Sequence, residues 1–168
     1  MVTTHLDDGR KSLPLDLELD QHFYSWTEGK QDTEFKKKPE LALKLIDLTL
    51  SRGYRPGIVL VDAGYGNNTS FLLELENRQI KYLGGLAKNR RVIVNEPDNI
   101  QQTIRIDELA KSLPQEAFTE IQVNLDKPKT LWVVTKEIEI SGLNGKQNIA
   151  IVMNATTFCQ ATEAWLFY

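Results

Sequence analysis

An apolar run that ends in an aspartate is the stretch of this sequence that most suggests chemistry. Residues 58–61 are unbroken, apolar and largely β-branched, which is typical of a strand buried on both faces. Asp62 follows directly, and a charge beside a core is costly unless something pairs with it. Open α/β sheets bind their ligands at the carboxyl ends of their strands. Asp62 is therefore the leading candidate for a working residue.

The glycine-rich loop after Asp62 allows three interpretations of this carboxylate. Gly64 and Gly66 permit a tight turn, and residues 67–69 offer helix N-caps. In the first interpretation Asp62 only caps the turn. In the second, the Asp62-Gly64-Gly66 loop binds a nucleotide or a methyl donor. Such folds need an acidic residue after the next strand to bind the ribose hydroxyls, and residues 86–88 include none. In the third, Asp62 is a metal ligand.

The segments after this loop predict a parallel β-α-β unit. Residues 69–78 have the apolar spacing of a helix, and residues 80–86 form a second strand that two consecutive glycines interrupt. Lys88, Arg90 and Arg91 follow this second strand. We expect them to form a solvated basic turn, with contacts to DNA phosphates as the alternative.

The residues before the apolar run predict a hairpin and then a helix. Residues 1–6 are strand-like, residues 7–10 signal a turn, and residues 12–19 alternate leucines with polar residues as a half-buried strand does. Residues 39–51 form the clearest helix, with an apolar stripe and with Gly53 as its C-cap.

The remaining residues, 92–168, are rich in predicted strands. One short helix is expected at 107–112, and a hairpin turn at 143–146 joins two long strands. The predicted strands cover residues 92–94, 119–123, 130–140, 148–153 and 165–168. We expect a single domain over 1–168, in which 1–91 form the hairpin, helix and β-α-β core and 92–168 form a β-rich insertion and a return strand.

Composition limits the classes of protein to which the chain can belong. Its 168 residues are 41% hydrophobic and 26% charged, which predicts one soluble globular domain. The net charge of −3 counts against the chain gripping nucleic acid unaided. The lone cysteine, Cys159, leaves no internal disulfide and no cysteine cage for a metal. Neither a secretory signal nor an apolar run of membrane-spanning length is found, so we expect a cytoplasmic protein.

Three segments resemble insertion-sequence transposases of the DDE superfamily. They are Val61-Asp62-Ala63-Gly64-Tyr65-Gly66-Asn67, Leu83-Gly84-Gly85-Leu86-Ala87-Lys88-Asn89-Arg90, and the hairpin His5-Leu6-Asp7-Asp8-Gly9-Arg10-Lys11-Ser12-Leu13-Pro14-Leu15-Asp16. The resemblance implies an α/β fold, an RNase H-like mixed sheet with flanking helices, here with a β-rich insertion. It also implies two aspartates and a glutamate that bind two divalent ions, for which Mg²⁺ suits hard oxygen ligands. The implied partner is DNA at the transposon ends.

Within that family, Asp62 matches the second catalytic aspartate and is thereby a predicted metal ligand. The family's first aspartate lies on a strand before the hairpin, and its glutamate lies on a helix after the β-rich section. The resemblance therefore implies a catalytic domain truncated at both ends, which alone neither cuts nor joins DNA. The lost strand would expose a sheet edge and favour self-association. A non-enzymatic remnant of a mobile element, or a module that associates with a full-length copy, is the competing function.

Overall fold

A computed structural model describes residues 1–20, 35–95, 101–123, 127–154 and 161–167. The chain divides into two compact units, Met1–Pro56 and Gly57–Tyr168. The predicted boundary near residue 91 and the single-domain assignment stay predictions. Cys159 lies outside the described residues.

The N-terminal unit contains the predicted hairpin and helix. Strands β1 (Val2–Asp7) and β2 (Ser12–Glu18) pair antiparallel, and helix α1 (Lys38–Ser51) packs on both. The hairpin turn is held by Asp8, whose carboxylate accepts hydrogen bonds from the Arg10 and Lys11 amides at 2.8 and 2.7 Å. These backbone hydrogen bonds lower the pKa of Asp8.

The leucines of β2 do not form the half-buried face that their alternation predicts. Leu13 and Leu17 are 57% and 61% exposed. The polar side chains of β2 face α1 instead, because Asp16 accepts two hydrogen bonds from Arg52 at 2.6 and 3.0 Å and Glu18 pairs with Lys44. Charge pairing with the helix therefore turns the leucines outward, and this part of the prediction was wrong.

The C-terminal unit contains three helices and eight strands among the described residues. The helices are α2 (Ala63–Gly66), α3 (Thr69–Asn77) and α4 (Ile106–Ser112), and a single 3-10 turn covers Gln115–Ala117. The strands are β3 (Val59–Val61), β4 (Tyr82–Leu86), β5 (Arg91–Asn95), β6 (Gln101–Arg105), β7 (Thr119–Val123), β8 (Lys129–Ile138), β9 (Gln147–Asn154) and β10 (Ala161–Phe167). Helix α2 and strand β6 were not predicted from the sequence.

Six of these strands form one mixed sheet in the order β3-β4-β10-β9-β8-β7. Strands β3 and β4 run parallel and are joined through α2 and α3, which confirms the predicted β-α-β unit. The other neighbours are antiparallel, and β10 inserts between β4 and β9. Strands β5 and β6 form a separate hairpin.

One face of the six-stranded sheet is the core of this unit. Its side chains are buried, and the Tyr82 hydroxyl donates a hydrogen bond to Glu76 of α3 at 3.0 Å, which places α3 on this face. Helix α4 contacts β10. The fully buried side chains of this face include Tyr82, Ile138, Ile149, Ile151 and Leu166.

The opposite face of the sheet is apolar but open, which corrects the prediction of a strand buried on both faces. In that predicted strand, Ile58 is 48% and Leu60 is 65% exposed. Among the described strands, β3 lies at the sheet edge with β4 as its one partner, and no second described strand shields it. Half-buried Leu83, Val133, Val152, Trp165 and Phe167 continue this open face.

No described helix is long and apolar enough to cross a membrane.

Candidate functional site

Asp62 sits where the sequence places it, directly after β3 at the carboxyl end of the strand. It is the N-cap of α2, and its Oδ1 accepts hydrogen bonds from the backbone amides of Gly64 at 2.8 Å and Tyr65 at 3.2 Å. The residue is exposed. One carboxylate oxygen is thus fixed by the backbone, while the residue as a whole stays open to solvent and to a ligand.

The turn that carries Asp62 packs directly on the backbone of β4. A Cβ atom added to Gly66 would lie 2.1 Å from the carbonyl oxygen of Gly85, which no structure tolerates without movement. A Cβ added to Gly84 would lie 3.2 Å from the Cα of Gly66. The absence of side chains at Gly66, Gly84 and Gly85 therefore lets the backbone of the turn approach the backbone of β4 closely.

Asn67 joins the same turn to the end of β4 through its side chain. Its carboxamide donates to the carbonyl oxygen of Ala63 at 2.6 Å and accepts from the amide of Ala87 at 3.0 Å. The sequence suggested Asn67 as one of several N-caps, but the N-cap of α3 is Asn68, whose side chain accepts from the Phe71 amide at 3.0 Å.

Arg90 makes a further connection between the basic turn and the loop after Asp62. Its guanidinium donates to the carbonyl oxygen of Gly66 at 3.2 Å and to the hydroxyl of Thr69 at 2.8 Å. Burial lowers the pKa of the Arg90 guanidinium. Arg90 is thus half-buried and bound to the protein.

Lys88 and Arg91 differ from Arg90 because both are exposed. Since β3 and β4 are parallel, their carboxyl ends meet at one edge of the sheet, and Lys88 follows β4 there as Asp62 follows β3. The carbonyl of Lys88 accepts from the amide of Asp107 at 2.9 Å, which seats the basic turn on the start of α4.

The packing of Gly66 argues against the nucleotide or methyl-donor interpretation of the Asp62-Gly64-Gly66 loop. A glycine-rich phosphate loop uses its second glycine to let the ligand approach the backbone. Here that space is taken by the backbone of Gly84 and Gly85. The loop therefore packs against β4 and leaves no space at Gly66 for a ligand.

Comparison with known proteins identifies the family of the chain. Residues 1–131 match the family model described as DDE superfamily endonuclease, and this stretch includes Asp62 and both segments of the glycine contact. The chain belongs to the DDE superfamily endonucleases. The match confirms the resemblance stated above. No curated protein matches the chain.

DDE superfamily endonucleases act on DNA and generally use a divalent metal ion. The exposed carboxylate of Asp62 fits such an ion, because hard cations prefer oxygen donors and one carboxylate oxygen is already oriented by two amides. Among the described residues, no three His, Cys, Asp or Glu side chains gather into a metal-binding group.

Asn67 and the glycine pair of β4 are the site residues whose role the sequence alone did not reveal. Two consecutive glycines inside a strand do carry a signal, since they often mark a close approach of another backbone. The backbone that approaches them belongs to Gly66, which lies in another of the segments that carry the family resemblance. Nothing local to Asn67 indicates a bond to a residue twenty positions later.

We expect Gly66→Ala to destabilise the fold far more than Gly57→Ala. The new Cβ of Gly66→Ala must displace the backbone of β4, and such overpacking costs about 1–3 kcal/mol of unfolding free energy or more. A Cβ on Gly57 meets nothing within 4 Å, so Gly57→Ala is the matched control. Chemical denaturation followed by circular dichroism measures both. Equal stability of the two variants would contradict the backbone contact.

Proposed function

We propose that this chain supplies the second catalytic aspartate of an insertion-sequence DDE transposase that cleaves and transfers DNA strands with Mg²⁺. The observation that carries the proposal is the exposed carboxylate of Asp62, oriented by two amides at the carboxyl end of β3 in a chain of this family. Asp62 would be a metal ligand, and the bound metals would activate the attacking oxygen and stabilise the leaving one.

The fold supports an RNase H-like catalytic domain. The six-stranded sheet is mixed, its parallel pair β3–β4 carries Asp62 at the carboxyl end of β3, helix α3 lies on its buried face, and helix α4 contacts β10. We propose that β5 to β10 contain the β-rich insertion and the return strand, with β10 lying next to β4.

We propose that Lys88 and Arg91 contact DNA phosphates near Asp62. Both are exposed, Lys88 just after the end of β4 and Arg91 at the start of β5, and phosphate contacts position a duplex without reading its sequence. We include Arg90 in this proposed group. Its guanidinium has five N–H donors and uses two of them in the hydrogen bonds to Gly66 and Thr69, so the others can donate to a phosphate.

A single carboxylate does not hold a pair of metal ions in the clamp that strand transfer needs. We therefore propose that this polypeptide is part of a larger catalytic unit, that it binds one divalent ion only weakly, and that it is inactive alone. Its cytoplasmic location stays a prediction.

Substitution of the carboxylate tests Asp62 as a metal ligand. We expect excess Mn²⁺ to broaden the Gly64 and Tyr65 amide resonances, and Asp62→Asn to weaken this effect more than about tenfold, the loss that even an outer-shell partner causes. Asparagine keeps an oxygen for capping and removes only the charge. Asp8→Asn is the matched control, because Asp8 is another exposed aspartate that caps a turn. Undiminished broadening in Asp62→Asn would show that Asp62 is not a metal ligand.

Incubation of the purified chain with end-labelled DNA and Mg²⁺ or Mn²⁺ tests its inactivity. We expect no specific nicking, because one aspartate cannot complete the two-metal site. Specific nicking that disappears in Asp62→Ala would contradict this part of the proposal while supporting Asp62 itself. Nicking that survives in Asp62→Ala comes from a contaminant or another site.

We also propose that the chain self-associates through the open edge of β3. In the part of the chain that the structure describes, no strand pairs with the outer side of β3, and Ile58 and Leu60 are exposed beside it. Sedimentation velocity should show concentration-dependent association that Leu60→Lys reduces. Leu13→Lys is the control, since Leu13 is an exposed leucine of the other unit. A monodisperse monomer at every concentration contradicts the proposal.

A further inference from the structure

The strand that leads to Asp62 has few hydrogen bonds to the sheet. Strand β3 has three residues and one neighbour among the described strands, and ladder hydrogen bonds alone therefore hold it weakly. After Asp62 the backbone leaves the sheet at once and enters α2. The position of the Asp62 carboxylate must therefore depend on the contacts that α2 makes.

We propose that Asn67 is a positioning residue that holds the Asp62 carboxylate in place from the end of β4. The inference rests on the proposed role of Asp62 as a metal ligand. Asn67 grips the carbonyl of Ala63, the residue next to Asp62, and the amide of Ala87, the residue that follows β4. One side chain thus couples the backbone beside the carboxylate to the neighbouring strand.

The residue type matters because the two bonds need opposite chemistry. The carbonyl of Ala63 requires a donor, the amide of Ala87 requires an acceptor, and a carboxamide offers both. A carboxylate in this place would bind the amide but face the carbonyl of Ala63 without a proton. Alanine would leave the amide of Ala87 without this acceptor, and the carbonyl of Ala63 would keep only its hydrogen bond from the backbone amide of residue 67, at 3.2 Å.

Neighbouring hydrogen bonds also hold the turn that carries Asp62. The amide of Gly66 donates to the carbonyl oxygen of Asp62 at 2.8 Å, and the carbonyl of Gly66 accepts from Arg90. Arg90 therefore secures the far end of the same turn, and its other contact reaches Thr69 at the start of α3. Asn67 differs from Arg90 because it binds the residue adjacent to Asp62 directly.

Asn68 provides a matched control one residue away. Its side chain caps α3 through the amide of Phe71 and makes no bond to β4. Asn68→Ala removes a hydrogen bond of similar kind from the same loop, so it reports the general cost of a lost local contact. A difference between the two variants then isolates the connection to β4.

Hydrogen exchange at the two amides that hold the carboxylate is the deciding measurement. We expect Asn67→Ala to speed exchange at Gly64 and Tyr65 by about tenfold or more, because the turn opens locally without its anchor. Asn68→Ala should leave both amides within about twofold of the wild type. Equal effects of the two variants would overturn the positioning role, since they would reflect only lost stability.

A measurement on the wild type keeps the proposal testable if Asn67→Ala does not fold. The Ala87 amide should then be protected from exchange, because it donates to Asn67. An Ala87 amide that exchanges as freely as a solvent-exposed one would contradict the inference.

Mn²⁺ titration separates this inference from the proposed function. We expect Asn67→Ala to weaken the Mn²⁺ broadening of the Gly64 and Tyr65 amides about tenfold, as the loss of an outer-shell partner does, and Asn68→Ala to leave it unchanged. If the wild type shows no broadening, the metal-ligand proposal fails, and the exchange data still decide whether Asn67 holds the turn. If the wild type is broadened and Asn67→Ala matches it, Asn67 does not position the carboxylate.

Discussion

The contact between the backbones of Gly66 and Gly85 is the constraint on which the rest of the site depends. No side chain other than hydrogen fits between them, since an added Cβ at Gly66 would come within 2.1 Å of the Gly85 oxygen. This closeness brings Asn67 within reach of Ala87 and lets Arg90 reach the loop. Two of the three segments that carry the family resemblance are thus the two sides of one packed junction.

That junction explains how a three-residue edge strand can present a carboxylate in a fixed position. The ladder of β3 is short and one-sided, so the position of Asp62 comes from the turn after it. Two amides orient one carboxylate oxygen, and Asn67 and Arg90 tie the turn to the residues after β4. Positioning by an outer layer of this kind is what metal sites and catalytic sites require of a fold.

Local patterns in the sequence predicted most elements but not their environments. Apolar spacing located α1, α3 and the parallel pair β3–β4, because periodicity is a local property. Burial failed for Leu60 and for the leucines of β2, because it depends on what lies across from a strand. The position of Asp62 at the end of a strand was predictable from the apolar run before it. Its anchor Asn67 was not, since the hydrogen bond to Ala87 spans twenty residues.

A crystal structure of the chain soaked in Mn²⁺ tests the central claim most directly, because anomalous scattering locates the ion without reference to activity. We expect a peak about 2 Å from one carboxylate oxygen of Asp62, the usual distance for such an ion, with the other oxygen still bound to the Gly64 and Tyr65 amides. A fully soaked crystal with no peak at Asp62, or with both of its carboxylate oxygens turned onto protein donors, would contradict the role of Asp62 as a metal ligand.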